Sequence, residues 1–240
     1  MNAAVETLKL SSTSADYPAQ PDDRPKANRD TFAWDPATFA GEQISSLVRR
    51  VFFPGWPAPH NQVVFAAVEA LHDITNICQR IGETLCQQVA GTVCVLDVDG
   101  TYYTQRNSAN AHQQVSVETP KRLKDLAIHV ANNLWLLRSS DFSVRSAQGY
   151  SGSLVRERLS DLRREFDYTV LHAPAIGAST ETASLGHWAD GVVLVINAQR
   201  TRRIAAQHAR DVLQAADARL IGVVLAQREF PIPQGLYRRL

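Results

Sequence analysis

Lysine is scarce in this chain of 240 residues. Four lysines, at positions 9, 26, 121 and 124, stand beside twenty-one arginines. No glycine is followed by a lysine, so the pattern GxxxxGK[ST] is missing. In that pattern the glycines let backbone N–H groups wrap a phosphate and the lysine neutralises its charge. The sequence therefore excludes a phosphate-binding loop of the ordinary kind.

The sequence also lacks features typical of secreted, membrane-spanning and nucleic-acid-binding proteins. Cys78, Cys86 and Cys94 have no CxxC spacing, and an odd, sparse set of thiols is typical of a reducing compartment. No apolar run approaches the roughly 20 residues of a membrane span, and the N-terminus lacks the pattern of a secretory signal. A formal net charge of +1 argues against general nucleic-acid binding. We expect a soluble, cytoplasmic protein that does not bind nucleic acid.

The pattern along the chain predicts three segments. Residues 1–40 are rich in Ser, Thr, Asp, Ala and Pro and are expected to be a flexible tail. Residues 41–240 are expected to form a single domain, whose last part, 227–240, is a C-terminal tail. With 45% hydrophobic residues the chain has enough apolar side chains for a packed core.

Short runs that are apolar throughout predict strands buried on both faces. They cover residues 62–67, 92–96, 134–137, 168–171, 191–196 and 220–225. Helical spacing of apolar residues predicts helices over 42–53, 73–88, 121–131, 153–166 and 201–216, the last with Ile204, Ala205, His208, Val212 and Leu213 inward. Strands alternating with helices indicate a three-layer α/β fold around a parallel sheet. Ligands of such sheets bind at the carboxyl ends of the strands.

The first turn at that edge reads VEALHDIT, from Val68 to Thr75. It contains no glycine or lysine, and Glu69 and Asp73 place negative charge where a polyphosphate would lie. Each lost charge-assisted hydrogen bond is worth about 1.5–3 kcal/mol, so nucleotide affinity should fall by orders of magnitude. Thr75 either keeps a hydroxyl for Mg²⁺ or is an ordinary residue of the first helical turn.

Two further segments end strands at the same edge. In VCVLDVDG, Asp97 and Asp99 point the same way on an extended segment. They hold Mg²⁺ or orient a hydroxyl, or else they solvate and cap the loop. In LHAPAIG, His172 ends its strand. It either joins Asp97 and Asp99 in a transition-metal site or is a structural histidine bonded to a neighbouring carboxylate.

These segments, in this order, resemble the bacterial tyrosine kinase family of capsule and exopolysaccharide synthesis, which is related to the cell-division and plasmid-partition ATPases. EQISSLVRRVFF resembles the leading helix EAxRxLRxNLxF, VCVLDVDG resembles the second Walker motif, and FDYTVLHAPAIG resembles FDYVIIDTPP. ADGVVLVINAQRTRR and LIGVVL resemble the last third of the family. The resemblance covers roughly residues 42–225 and implies a P-loop NTPase-like fold with ATP and Mg²⁺ as cofactors.

The departures from the family pattern lie at the nucleotide site. The first Walker motif is absent, His172 replaces an aspartate that helps to hold Mg²⁺, and Ala226 stands where an asparagine often contacts the base. Two hypotheses follow. The chain is a catalytically impaired relative, or it is an active ATP-dependent autokinase or ATPase in which Thr75, Asp97 and Asp99 hold Mg²⁺. In the second case an arginine, Arg49, Arg50 or Arg106 of a neighbouring subunit, would replace the lysine.

The resemblance also implies partners. Glu and Arg residues of the leading helix help subunits of the family associate, so Glu42, Arg49 and Arg50 are expected interaction residues in a homo-oligomer. The expected partner is the cytoplasmic end of a membrane chain-length-control (co-polymerase) protein, or an active kinase relative, which would recruit the chain to the inner face of the membrane. A scaffold of partition-ATPase ancestry outside polysaccharide biology is the third hypothesis.

The C-terminal segment FPIPQGLYRRL differs from the tyrosine-rich cluster that the family autophosphorylates, because Tyr237 is its one tyrosine. Two prolines and a glycine argue against regular structure over residues 230–235. Phe230, Ile232, Leu236 and Leu240 are apolar for a solvated tail. The segment either packs on its own domain or docks on a partner or sister subunit, and Tyr237 is a further expected interaction residue.

Overall fold

The fold was described from a computed structural model of the chain. The structure describes residues 36–55, 59–70, 74–98, 122–142, 145–146, 149–150 and 152–227. These residues all lie within one compact unit, Pro36–Leu240. Asp73, Asp99, Arg106, Phe230 and Tyr237, all singled out by their sequence context, lie outside the described residues.

The strands in chain order are β1 Gln62–Ala67, β2 Val93–Asp97, β3 Ile128–Ala131, β4 Leu134–Arg138, β5 Arg145–Ser146, β6 Gly149–Tyr150, β7 Tyr168–Ala173, β8 Gly191–Asn197 and β9 Leu220–Ala226. The helices are α1 Pro36–Phe52, α2 Ile74–Gln88, α3 Leu123–Leu126, α4 Gly152–Glu165, α5 Glu181–Trp188 and α6 Arg203–Ala215. Strands β5 and β6 form a separate small hairpin. Among the described residues, no helix has the length and hydrophobicity needed to cross a lipid bilayer.

Seven strands form one sheet in the order β3-β4-β2-β7-β1-β8-β9, parallel except for the β3–β4 pair. Every residue of β1 and β2 is buried, as their continuous apolar sequences predict. One face of the sheet packs on α1 and α2 through residues such as Phe52 and Ile81. The other face packs on α3, α4, α5 and α6. The predicted three-layer α/β fold is therefore confirmed.

The helix predicted over residues 121–131 is wrong. Only residues 123–126 are helical, and Ile128–Ala131 is the antiparallel edge strand β3. Asn132 has φ of 46°, a backbone conformation that asparagine tolerates, and so allows a tight turn into β4. His129 then stacks on Trp135 across the strand pair, with ring centroids 4.9 Å apart. Turn chemistry and strand pairing outweigh the helical spacing here.

The other differences are smaller. Helix α1 begins at Pro36, before the Gly41 at which the sequence pattern changes. The prediction that Ile204 and His208 face inward from α6 is wrong, because Ile204 is 77% exposed and His208 is also exposed. Ala209 and Leu213 are the buried residues of this helix. The sequence did not predict α5. That helix lies so close to β8 that a Cβ on Gly186 would be 2.5 Å from Val192 Cγ2.

Candidate functional site

The carboxyl edge of the sheet brings together predicted site residues from separate parts of the chain. Asp97 ends β2 and is in register with His172 of β7 on one side and with Arg138 of β4 on the other. Because β2 and β7 are parallel neighbours, their carboxyl ends meet at this edge. The backbone N–H of Val98 also donates to the carbonyl oxygen of His172 (2.8 Å), which holds the two strand ends in place.

Asp97 and His172 form a buried pair. Nδ1 of His172 lies 2.9 Å from Oδ1 of Asp97, and the two side chains are 2% and 6% exposed, respectively. Buried polar groups need partners, because an unpaired one costs much of its hydration free energy. One ring nitrogen and one carboxylate oxygen are therefore committed to each other. This is the carboxylate contact expected for a structural His172.

A small cavity lies beside this pair. Its volume is about 10 Å³, and its lining consists of Thr75, Cys78, Gln79, Val95, Asp97, Leu136, Leu137 and His172. That volume is about the minimum that holds one water molecule. Burial, and then the charge of Asp97, raise the pKa of the Cys78 thiol, so this lining side chain stays protonated. Three of the predicted cofactor residues, Thr75, Asp97 and His172, thus converge on one site, while Asp99 lies outside the described residues.

The cavity beside Asp97 has no room for a hydrated Mg²⁺ ion. Mg²⁺ prefers six oxygen ligands and usually keeps several waters, whereas this cavity offers the space of about one water and includes an imidazole. Among the described residues, no group of three or more His, Cys, Asp or Glu side chains is placed to hold a metal ion. The transition-metal site of Asp97, Asp99 and His172 therefore stays a prediction that depends on Asp99.

A second cleft lies at the same edge, between the ends of β1, β8 and β9. It has a volume of about 110 Å³ and is lined by Glu69, Ala70, Val195, Asn197, Arg200, Thr201 and Gln227. Asn197 shapes one wall, since its side-chain oxygen accepts from the backbone N–H groups of Gln199 (2.9 Å) and Arg200 (3.1 Å). Arg200 and Glu69 thus bring opposite charges to one small cleft.

Two further cations among the described residues, Arg138 and Lys124, each have a partner. Arg138 at the carboxyl edge donates to Asp141 at 2.8 Å. Lys124, the one lysine that the structure describes, belongs to α3, and its ammonium lies 4.5 Å from the centroid of Trp135. Its own backbone N–H donates to Glu165 at the end of α4, close to the amino edge of the sheet. No described lysine therefore reaches the carboxyl edge.

The predicted interaction residues of α1 are exposed. Glu42, Arg49 and Arg50 all lie on the solvated side of the helix, while Val48 is fully buried. The last turn of α1 lies at the amino edge, because Phe52 and Phe53 pack edge-on against Tyr168, the first residue of β7. Within one chain Arg49 and Arg50 are thus at the opposite edge of the sheet from Asp97. They remain candidates only for contacts with another molecule.

The amino edge holds a polar network that the sequence did not predict. Oδ2 of Asp190 accepts from the backbone N–H groups of Asn61 and Gln62, each at 2.7 Å, and Oδ1 accepts from Arg163 at 2.7 Å. Burial opposes ionisation of Asp190, but the hydrogen bonds from Gln62, Arg163 and Asn61 outweigh it and lower the pKa of that carboxyl. The available signal was an aspartate directly before the apolar run that starts at Gly191.

A second aspartate, Asp167, acts in the same way at the starts of β2 and β7. Oδ2 of Asp167 accepts from the backbone N–H (2.7 Å) and the hydroxyl (2.9 Å) of Thr92, and these bonds lower the pKa of Asp167. The hydroxyl oxygen of Thr92 in turn accepts from the backbone N–H of Asp167 at 3.0 Å. The starts of β2 and β7 are joined by this reciprocal pair.

Comparisons with known proteins agree with this architecture. No protein-family model matches the chain. It is 26% identical over 196 residues to the tyrosine-protein kinase YwqD of Bacillus subtilis (strain 168), covering 80% of this chain and 82% of that protein. The kinase domain of the Escherichia coli tyrosine kinase ETK matches with a TM-score of 0.60 at 14% identity, covering 81% of this chain and 79% of that domain. The VpsO kinase domain matches with a TM-score of 0.58 at 17% identity, covering 80% and 98%, respectively. The resemblance to the bacterial tyrosine kinases is thus confirmed in sequence by the Bacillus protein, and the two kinase domains share the fold.

Proposed function

We propose that the protein is a catalytically impaired relative of the bacterial tyrosine kinases. It acts as a cytoplasmic regulatory or binding component of exopolysaccharide synthesis or export. The observation that carries the proposal is the buried Asp97–His172 pair, with room for about one water beside it. Phosphoryl transfer depends on positioned positive charge and Mg²⁺, and the turn from Val68 to Thr75 supplies neither a glycine nor a lysine.

The partner we propose is the cytoplasmic end of a membrane chain-length-control protein, or an active kinase relative, which would hold the chain at the inner face of the membrane. The exposure of Glu42, Arg49 and Arg50 on α1 supports such a contact, because all three are available to a second molecule. The same helix would serve a homo-oligomer.

Nucleotide binding is the test of catalytic impairment. Isothermal titration with Mg-ATP, and separately with Mg-ADP, should show no saturable heat at micromolar to millimolar nucleotide. An active kinase relative in the same buffer provides the positive control. Micromolar binding that Asp97→Ala abolishes, and that the exposed-site variant Asp211→Ala keeps, would contradict the proposal.

An active kinase or ATPase with an atypical site is the second candidate. It is favoured by Asp97, which the resemblance places among the Mg²⁺ ligands, and by Arg200, whose cleft adjoins the end of β1. If this candidate is right, Arg200→Ala should weaken nucleotide binding, whereas the neighbouring exposed substitution Arg203→Ala should not. Loss of radiolabelled phosphate transfer to Tyr237 in Tyr237→Phe would then identify the acceptor.

A further inference from the structure

Strand β9 is an edge strand with exposed apolar side chains. It is the last strand of the sheet that the described residues form, so one side of its backbone faces no neighbouring strand among them. Val223 is 52% exposed and Leu225 is 58% exposed. Their register partners on β8, Leu194 and Ile196, pack on the side of α3, α4, α5 and α6, so the two exposed side chains lie on that face of the sheet. An open edge with apolar side chains invites pairing with another strand.

The backbone of β9 shows which residues can pair with a further strand. The carbonyl oxygen of Ala226 accepts from the N–H of Ala198, on the β8 side, at 3.0 Å. Successive residues of a strand direct their N–H and C=O groups to opposite sides. Leu225 and Val223 therefore direct theirs to the open edge. The same two residues thus bring both hydrogen-bonding groups and apolar side chains to that edge.

The sequence of β9 permits a close approach of another copy. Charged side chains, prolines and bulges are the common features that prevent edge strands from pairing. The sequence LIGVVLA, from Leu220 to Ala226, has neither a charge nor a proline. The irregularity in its pairing with β8 lies between Leu220 and Gly222, so residues 222–226 form a regular stretch. Two such stretches can therefore come together without electrostatic repulsion between them.

A second copy of this stretch fits the open edge when it runs antiparallel about a two-fold axis at Val224. Val223 then lies opposite Leu225 of the second copy, and Leu225 lies opposite Val223 of the second copy. Directly opposite residues of an antiparallel pair share a face, so each exposed apolar side chain covers another one. The outward-directed N–H and C=O groups of each pair also bond to each other. One register thus pairs both kinds of group, as a self-complementary two-fold contact requires.

The other face of the paired strands is compatible with the same register. There Val224 lies opposite Val224 of the second copy, and Gly222 lies opposite Ala226 of the second copy. β-branched side chains pack well in such cross-strand pairs. A Cβ on Gly222 would have no neighbour within 4 Å, so the described residues leave space beside this pair.

We propose that β9 of one chain pairs with β9 of a second copy in this register, which joins two seven-stranded sheets into one continuous sheet. A short strand pair buries less than the roughly 800 Å² per partner of a standard stable interface. The dimer should therefore be weak and should dissociate on dilution. The contact is separate from any nucleotide chemistry, and it uses none of the interaction residues of α1.

Cysteine cross-linking of the full chain tests the register. Val223→Cys and Leu225→Cys, made as separate proteins and then mixed, should form a disulfide between them under mild oxidation. The Cα atoms of a hydrogen-bonded antiparallel pair are about 5.5 Å apart, which suits a disulfide. Either variant alone brings its new cysteines only into diagonal positions, so it should cross-link at least about tenfold more slowly. The unmodified chain, with Cys78, Cys86 and Cys94, gives the background rate.

Sedimentation equilibrium tests the contribution of the exposed apolar side chains. Leu225→Lys adds a charge to the paired edge and should weaken dimerisation at least about tenfold. Ile204→Lys is the matched control, because it adds the same charge at a residue of α6 that is 77% exposed, and it should leave dimerisation unchanged. Both substituted side chains are more than half exposed, so the domain should fold in both variants.

Three results would overturn the proposal. The first is a cross-linking rate in the mixture no higher than in the separate variants, which would exclude this register. The second is equal weakening by Leu225→Lys and Ile204→Lys, which would leave the edge to a different partner. The third is loss of the cross-link when Arg49→Ala and Arg50→Ala are added to both cysteine variants, which would place the contact between copies at α1.

Discussion

The two edges of the sheet differ in how their polar residues are used. At the amino edge, Asp190 and Asp167 tie the starts of neighbouring strands through short hydrogen bonds to backbone N–H groups. At the carboxyl edge, Asp97 pairs with His172 beside a cavity of about 10 Å³. At the amino edge the aspartates therefore bind backbone N–H groups and join strands. At the carboxyl edge, where α/β sheets bind ligands, Asp97 and His172 instead bind each other. The polar side chains described at both edges thus hold neighbouring strands together.

The largest expected effect is that of His172→Asp, which restores the residue of the family pattern. The substitution would place a second carboxylate in buried contact with the carboxylate of Asp97. Two buried carboxylates cannot both ionise cheaply, so we expect a loss of about 3–5 kcal/mol in unfolding free energy at neutral pH. Urea denaturation measures it.

His172→Asn provides the control for His172→Asp, because it removes the ring without adding charge. It should lower the free energy of unfolding by less. The penalty of the aspartate should shrink as the pH falls and one carboxyl gains a proton. A stable His172→Asp protein that also binds Mg-ATP would contradict this contrast between the two edges. It would mean that a single substitution at the carboxyl edge is enough for nucleotide binding.

Asp190→Asn should have the next largest effect on the free energy of unfolding. It removes a charged acceptor from two backbone N–H groups and Arg163, and about 1.5–3 kcal/mol is expected from such bonds. Because the pKa of Asp190 is lowered in the folded state, its stabilisation is full above the unfolded pKa and is lost as the pH falls through the folded value. The difference in unfolding free energy between the unmodified protein and Asp190→Asn should therefore persist at pH 7 and vanish in strong acid.

Asp211→Asn is the matched control for Asp190→Asn. Asp211 also pairs with an arginine, Arg210, at 2.7 Å, but both side chains are more than half exposed. Such a pair contributes little, so its removal should change stability by less than about 1 kcal/mol. Equal effects at Asp190 and Asp211 would show that the amino-edge network is not structural.

Thr92→Val should have a moderate effect at the same edge. The substitution removes the hydroxyl that donates to Asp167 and accepts from its backbone N–H. A loss of about 1 kcal/mol is expected, because the site is exposed and water replaces part of each bond. Thermal unfolding measures it.

The smallest effect on stability is expected for Arg49→Ala combined with Arg50→Ala. Both residues are exposed at the end of α1, so the free energy of unfolding should change by about 0.5 kcal/mol or less. Sedimentation velocity should nevertheless show weaker association with itself or with the proposed partner. Arg202→Ala combined with Arg203→Ala is the matched control at the start of α6. Equal weakening there would point to general electrostatics rather than an α1 interface.

The sequence predicts the inner strands well, because continuous apolar runs such as residues 62–67 have few alternatives to a strand buried on both faces. It fails at the β3 edge of the sheet and at helix α5. Residues 128–131 are exposed throughout, so no burial pattern marks them as β3. Helix α5 is hidden by Gly186, a poor helix former that is present because of the close contact with Val192.

The candidate site was only partly predictable. The strand-end positions of Asp97 and His172 follow from the sequence, but their mutual contact depends on which strands are neighbours, which spacing alone does not determine. The Asp190 network was missed for a related reason, since its donors Asn61 and Gln62 are more than a hundred residues away along the chain. Long-range register is set by the whole sheet rather than by any one segment.

The central position of β1 has a consequence for how the chain is made. Its two neighbours pair Gln62 with Thr169 and Val63 with Gly191, so both arrive late in synthesis. At about 5–20 residues per second, the ribosome needs roughly 5–20 seconds to reach β7 after it has made β1. During that time a largely apolar segment lacks both of its native partner strands. Nascent chains of this protein should therefore depend on chaperones until the last third has emerged.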